Sequence, residues 1–495
     1  MEQDATLPIK IDSTSNGEFA PVPVSRAVRF ANRLAAERIT ANAHRVGMSR
    51  RKFLAGLCGA ATTLLAFNEA FAGGRRPGGT FALPPEAAFE PAAAAKVLDG
   101  NEFIFDIQTH LIDPNGPWRT NSEGQAFMTG MLDKIRSVVQ LPPKDCGAAD
   151  KVRCYDAEHM IKEVFLDSDT AMAVLSFVPS LPDENPVSLP EADRVRKLVA
   201  ALGQGRRLLL HALTIPNASP LSLQFERMEK ALKTYGISAW KVYPQWGPER
   251  VGWWLDDPRV GIPFIEEARR LGVKTICMHK GLIFGGHEPR YGACDDVGRA
   301  AKLYPDVTFI VYHSGFDLSR KEGPYDPRRA DMGVDSLVKS LQDNGIGPNA
   351  NVYAELGSTW RMVMGDPDQA AHILGKLLKY VGPQRVVWGT DSIWYGSPQD
   401  QILAFRAFQI SREFQERFGY PALTPELKAA VFGLNAAPVY GVDPSARSAG
   451  NETDPLGKLK AAYSEDPQPS FATYGPRDAT DWSRLKAMGG NGPHP

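Results

Sequence analysis

Three of the nine histidines in this chain sit immediately behind short apolar runs. Phe103–Gln108 is followed by Thr109 and His110, Val273–Met278 by His279 and Lys280, and Val307–Tyr312 by His313 and Ser314. A fourth run, Arg385–Gly389, leads into Thr390 and Asp391. Imidazole nitrogens with one carboxylate suit Zn²⁺ or Mn²⁺ and leave a coordination position for water. A single histidine behind a strand has an ordinary structural reading. The repetition behind four runs is what points to a site. Lys241 and Tyr243 stand in a further run, and Glu355 ends another.

Eight such runs follow residue 100. They are Phe103–Gln108, Ala171–Val178, Arg207–Leu213, Ser238–Tyr243, Val273–Met278, Val307–Tyr312, Asn351–Glu355 and Arg385–Gly389. Short, almost wholly apolar runs are what strands buried on both faces of a parallel sheet look like. Between them lie amphipathic stretches at Glu191–Leu202, Leu223–Tyr235, Ile262–Leu271, Asp368–Tyr380 and Gln399–Arg417, with a shorter one at Ala157–Leu166. Gly203, Gly236, Gly272 and Gly382 follow four of them, where helices stop. Eight alternating units predict an α/β fold, the (β/α)8 TIM barrel, whose active site lies at the C-terminal ends of the strands. No Gly-x-Gly-x-x-Gly turn follows any run, which speaks against an open dinucleotide-binding sheet.

The chain has 495 residues, 43% of them hydrophobic, and carries 56 Lys+Arg against 57 Asp+Glu. That balance argues against a nucleic-acid partner. Ser49-Arg50-Arg51-Lys52-Phe53-Leu54, the apolar run to Phe67 and Ala70-Phe71-Ala72 have the order of a secretory signal, and the paired arginines resemble the twin-arginine export motif. The expected organisation is a leader over 1–72, a Gly/Pro/Ala-rich linker over 73–100, the barrel over 101–443 and a polar C-terminal arm over 444–495. The expected location is the periplasm or the exterior. No membrane span is expected in the mature chain. In that compartment Cys146 and Cys154, eight positions apart in the long first connection, could pair as a disulfide.

Asp106-Ile107-Gln108-Thr109-His110, Met278-His279-Lys280, Tyr312-His313-Ser314-Gly315 and Trp388-Gly389-Thr390-Asp391 together resemble the amidohydrolase-related, metal-dependent TIM-barrel hydrolases. The subgroup includes aminocarboxymuconate-semialdehyde decarboxylase. The resemblance covers residues 101–443 and closes on Asn435-Ala436-Ala437-Pro438. It implies His110, His279 and Asp391 as ligands of one divalent metal, with His313 and Asp391 as the proton carriers. Gln108 departs from it, standing where the first His of His-x-His is implied; an amide oxygen is a poor transition-metal donor.

Gln108, Lys241, Arg361 and Trp394 form the expected substrate-binding set. Arg361 would clamp a carboxylate, and Trp118, Tyr243, Trp246, Trp394 and Tyr395 would form an aromatic collar. His287 falls in a Gly-rich loop that reads as a lid. The leading expectation is a metal-dependent hydrolase of a small-molecule C–N or C–O bond. A non-oxidative decarboxylase is the first alternative, favoured by a carboxylate clamp in the pocket. An exported barrel without catalysis is the second. A homo-oligomer is compatible with each.

Overall fold

The structure, a computed structural model, describes residues 6–16, 21–72, 77–119, 154–182, 184–203, 206–248, 251–282, 288–446 and 455–474. Helices α1 (Arg26–Arg45), α2 (Arg50–Ala55) and α3 (Leu57–Phe71) come first, then strand β1 (Gly79–Phe81) and α4 (Pro91–Leu98). The barrel begins with β2 (Phe105–Thr109), α5 (Ala157–Ile161), β3 (Met172–Leu175), α6 (Leu189–Leu202), β4 (Leu208–Leu213) and α7 (Leu221–Tyr235). It continues with β5 (Ala239–Val242), α8 (Gly261–Arg270), β6 (Thr275–His279), α9 (Val297–Leu303), β7 (Thr308–Tyr312) and α10 (Val334–Asp343). β8 (Val352–Glu355), α11 (Gly357–Val363), α12 (Pro367–Lys376) and β9 (Val386–Val387) complete the ring. After it come α13 (Gln399–Ala407), β10 (Phe408–Ile410), α14 (Arg412–Phe418), α15 (Pro425–Ala429) and α16 (Pro455–Glu465).

β2 to β9 form one parallel sheet in sequence order, and each falls within one of the eight predicted runs or one residue beyond it. Apart from Leu213 and Thr308, every residue of these eight strands is buried, because side chains point alternately into the barrel and against the helices. Local sequence sets the helix ends. Ser188 Oγ caps α6 by accepting from the Glu191 N–H, and Gly236 ends α7 at φ 56°, a left-handed turn that suits glycine.

The ring closes between its first and last strands. Ile107 N–H donates to Trp388 O at 3.1 Å, Asp391 N–H to Gln108 O at 2.9 Å, and Thr109 bridges Ser392 in parallel. Asp106 clasps this seam: its carboxylate accepts from Gln108 N at 3.0 Å, Thr390 N at 3.1 Å and the Thr390 hydroxyl. Burial pushes its carboxyl up to about 7 against those hydrogen bonds.

Four expectations need correction. The 73–100 stretch is no loose linker in its described part: β1 pairs antiparallel with β10, and α4 packs on α3 and α13. The predicted helix Gln399–Arg417 is split by β10, because Phe408 and Ile410 turn into that small sheet. The described part of the C-terminal arm is folded. α16 packs near the end of α5, and Tyr155 OH donates to Tyr474 O at 2.7 Å.

The N-terminal residues expected as a leader are folded onto the barrel as well. α3 buries nine residues, among them Leu64 and Phe67, chiefly against α1, while Arg50, Arg51 and Lys52 stay exposed. Among the described residues no helix is long and apolar enough to cross a membrane. Cys154 is disulfide-bonded, and Cys58, Cys277 and Cys294 are free thiols. Cys146 lies outside the described residues.

Thr390→Val keeps the shape of the side chain but strips a buried carboxylate of a donor. It should destabilise the fold by about 1–3 kcal/mol, read as a lowered urea midpoint at unchanged m. Thr390→Ser should recover most of the loss. A Val variant as stable as wild type would show that the Asp106 seam does not hold the barrel shut.

Candidate functional site

Asp391 lies at the C-terminal mouth of the barrel with 1% of its side chain exposed. Oδ1 accepts from His110 Nε2 at 3.0 Å and from Gln108 Nε2 at 3.0 Å. Oδ2 accepts from Asn16 Nδ2 at 2.6 Å and from Ser358 Oγ at 2.5 Å. Burial pushes the carboxyl up, but the hydrogen bonds from His110 and the Ser358 hydroxyl outweigh it. They hold Asp391 well below the usual carboxylate range.

The second hydrogen of the Gln108 amide points toward His313 Nε2 at 3.5 Å. That nitrogen is therefore the acceptor, and the ring is neutral; burial lowers its pKa to about 3. His279 lies beside it, ring centroids 4.5 Å apart, and stacks on Tyr243 at 5.1 Å. Lys241 Nζ sits 3.6 Å from the centre of the Tyr312 ring, and its charge adds to burial in keeping His279 and His313 unprotonated.

The site backbone is strained. Asp391, His313 and Ser314 have φ of 59°, 62° and 55°, left-handed values that non-glycine residues seldom adopt. Glu355, fully buried on β8, helps to hold them: it accepts from His313 N at 3.0 Å and Gly357 N at 2.5 Å, and its own carbonyl accepts from Ser314 Oγ at 2.7 Å. Burial, with the Asp391 charge beside it, pushes the Glu355 carboxyl up to about 8 against those hydrogen bonds. Two glycines leave the space. A Cβ on Gly389 would stand 1.8 Å from Glu355 Oε1, and one on Gly357 would stand 2.5 Å from Gln108 Oε1.

The structure thus brings Gln108, His110, His313 and Asp391 together. Trp394 packs on His110 with ring centroids 5.8 Å apart. Tyr395 joins the site through its hydroxyl, 2.7 Å from Ser358 Oγ, whereas Tyr243 donates away from it to Phe177 O. Arg361 does not line an open clamp: it is buried, and Nη2 donates to Asp12 Oδ1 at 2.7 Å. His287 and the Trp118 side chain lie outside the described residues. Sequence reasoning missed Asn16 and Asp12, in a stretch read as leader, and Ser358, which only its position one turn before Arg361 could have flagged.

The implied metal is tested by the donors themselves. A carboxylate offers about four lone-pair sites, and four donors take up those of Asp391. His279 Nε2 lies 3.3 Å from the Leu282 carbonyl. Among the described residues no three His, Cys, Asp or Glu side chains are arranged to hold a metal ion. As arranged, the residues do not fit the metal.

Residues 191–442, about half the chain, match the sequence profile of the amidohydrolase family. A comparison with curated proteins gives no match. Among solved structures, an uncharacterized TIM-barrel protein from Bordetella bronchiseptica aligns at 14% identity and TM-score 0.42 over 70% of this chain and 99% of its own. A 2,6-dihydroxybenzoate decarboxylase from Rhizobium aligns at 14% identity and TM-score 0.39 over 69% and 99%. A 4-oxalomesaconate hydratase from Rhodopseudomonas palustris aligns at 16% and 0.38 over 68% and 96%.

Gln108→His replaces an amide donor by an imidazole beside His110. It should raise Zn²⁺ or Mn²⁺ affinity at least about tenfold, roughly 1.4 kcal/mol, in a chelator competition. Unchanged affinity would mean that β2 does not aim this position at the other donors. A second expectation concerns pH. Folded Glu355 keeps its proton up to about pH 8, whereas the unfolded chain releases it near 4.3. Between those values the folded state binds more protons, so this group's contribution to stability falls as pH rises. Glu355→Gln cannot ionise, so the melting temperature of wild type relative to this variant should drop steadily from pH 5 to pH 8. A constant difference would show Glu355 ionised throughout.

Proposed function

The chain belongs to the amidohydrolase family, and from that membership we propose an enzyme that hydrolyses a C–N or C–O bond of a small molecule by paired proton transfer at His110–Asp391 and His313. The observation that carries this reading is the ionised Asp391 carboxylate, 3.0 Å from His110 Nε2. A carboxylate in that place fixes one imidazole tautomer and stabilises the imidazolium that forms when the ring takes a proton. His110 Nδ1, the nitrogen that Asp391 does not engage, is the base toward water. The resulting hydroxide attacks the carbonyl carbon, and the leaving nitrogen or oxygen collects a proton from the relay. His313 stands beside that pair, positioned by the second hydrogen of the Gln108 amide, and its neutral ring can accept a proton from the reacting water and return it to the leaving group.

Decarboxylation would need the substrate carboxylate at the reacting centre. Arg361 stands one residue back, its Cζ 5.3 Å from the Tyr395 ring, with Tyr395 and Ser358 between it and Asp391. An anchor so placed keeps a carboxylate away from the proton carriers, which supports hydrolysis. The Zn²⁺ or Mn²⁺ implied by the resemblance would need Asp391 to release donors it now holds. For the compartment, we read residues 49–72 as a twin-arginine signal. The exposure of Arg50, Arg51 and Lys52 supports it, and N-terminal sequencing of protein from the periplasm checks it: a start near Gly73 is expected, so that residues 7–16 cross the mouth only in the uncleaved chain.

With 4-nitrophenyl acetate and 4-nitroacetanilide as probes, Asp391→Asn and His110→Ala should each lower kcat/KM at least about 100-fold, the usual contribution of a positioned proton carrier. His313→Ala should lower kcat more than it raises KM. Turnover that survives Asp391→Asn would overturn the mechanism.

A further inference from the structure

We propose that residues 7–16 are a built-in occupant of the substrate site, standing in for a small molecule that carries a carboxylate at one end and an amide at the other. The hydrolase reading above is assumed for the fate of that amide; the binding argument stands on geometry. The segment lies across the barrel mouth with Ile9 and Ile11 buried. Lys10 anchors it, its Nζ donating to Tyr395 O at 2.7 Å and Ser397 O at 2.8 Å while its backbone N–H donates to Asp400 Oδ2 at 3.1 Å. Asp12 then places one carboxylate oxygen 2.7 Å from Arg361 Nη2 and the other 2.8 Å from Thr473 Oγ1. Asn16 places its amide nitrogen 2.6 Å from Asp391 Oδ2 and 3.4 Å from Ser358 Oγ.

Those two contacts have no need of each other in a segment that merely roofs the barrel. Apolar packing by Ile9 and Ile11 would be enough. Instead one acidic side chain meets a fully buried arginine, and one amide meets the carboxylate assigned to catalysis. Ser358 and Arg361 are three residues apart on α11 and so share a helix face. Tyr395 joins them, its hydroxyl on Ser358 and its ring 5.3 Å from Arg361 Cζ. When the segment withdraws, the guanidinium is left for a substrate carboxylate, which it suits in planar geometry. Asp391 is left for an amide N–H, and the Tyr395 ring for the carbons between. The ligand class is a carbamoyl carboxylate, and the segment competes with it.

The test uses the full chain with a specific protease site in place of Pro21–Val24, cut after folding, and reads binding by calorimetry. The probes are a series of linear ω-carbamoyl carboxylates of four to eight carbons, with the matching alkyl amides as controls. Cut protein should bind at least one acid of the series at least tenfold more tightly than uncut protein. Arg361→Ala in the cut protein should abolish that preference for the acid over the alkyl amide. The double variant Asp12→Ala/Asn16→Ala, uncut, should show the same gain and guards against a cutting artefact. A released segment that stays bound in millimolar probe overturns the proposal, as does a cleared site that binds no better than before. Binding without hydrolysis removes only the hydrolase reading. Hydrolysis of the nitrophenyl probes with no gain on cutting removes only the occupant.

Discussion

A charged carboxylate with 1% exposure has to be satisfied by protein donors, and Asp391 is such a group. Left unpaired in a low-dielectric interior, it would either lose several kcal/mol of hydration or take up a proton. Its four donors, Asn16, Gln108, His110 and Ser358, come from the N-terminal segment, β2 and the residue behind it, and α11. None of the four is local in sequence. These donors converge on the buried Asp391 charge only where the ring closes between β2 and β9 and the N-terminal segment crosses the mouth. One charge thus ties the two ends of the barrel to a segment outside it.

The same demand explains the strain around it. Left-handed backbone at a non-glycine residue costs about 1–3 kcal/mol, and His313, Ser314 and Asp391 all adopt it. Hydrogen bonds over-determine each turn. Asp391 N–H is held by Gln108 O, His313 N–H by Glu355, His313 O by Thr359 Oγ1, and Ser314 Oγ by the Glu355 carbonyl. Glu355 can reach these groups only because positions 357 and 389 carry no Cβ. The buried acid on β8 is a brace, and its raised pKa records how little solvent it retains.

The eight strands were legible because parallel strands buried on both faces write themselves as short apolar runs, and their order along the chain is their order in the ring. His110, His313 and Asp391 were legible for a related reason: polar residues at the C-terminal ends of such runs must face the mouth. Asn16 carried no such mark. It lies in no run and follows no strand, and its role exists only across a contact with a residue 375 positions away. Leu57–Phe71 is ambiguous in principle. Small residues and a modest apolar run serve an export signal, and the same Ala, Gly and Thr residues let α3 pack closely on α1. Periodicity cannot separate the two. Arg361 was legible as a cation near the site, but its partner Asp12 was not.

Gln108 shows how far a single side chain redirects a shared scaffold. An imidazole at this position could offer a lone pair toward the carboxylate, and a lone pair facing a carboxylate calls for a proton or a cation between them. The amide offers two hydrogens instead. One goes to Asp391 Oδ1 and the other toward His313 Nε2, so the negative charge is met by N–H groups and His313 is fixed in its neutral form. The other carboxylate oxygen, which a cation could also have drawn on, is taken by Asn16 and Ser358. Two of these donors are amides, but only Asn16 stands on a segment outside the barrel; Gln108 is fixed in β2 with no exposure. The identity of residue 108 therefore decides that the fixed part of the site meets Asp391 with N–H groups, and that its remaining oxygen is shared between α11 and the N-terminal segment.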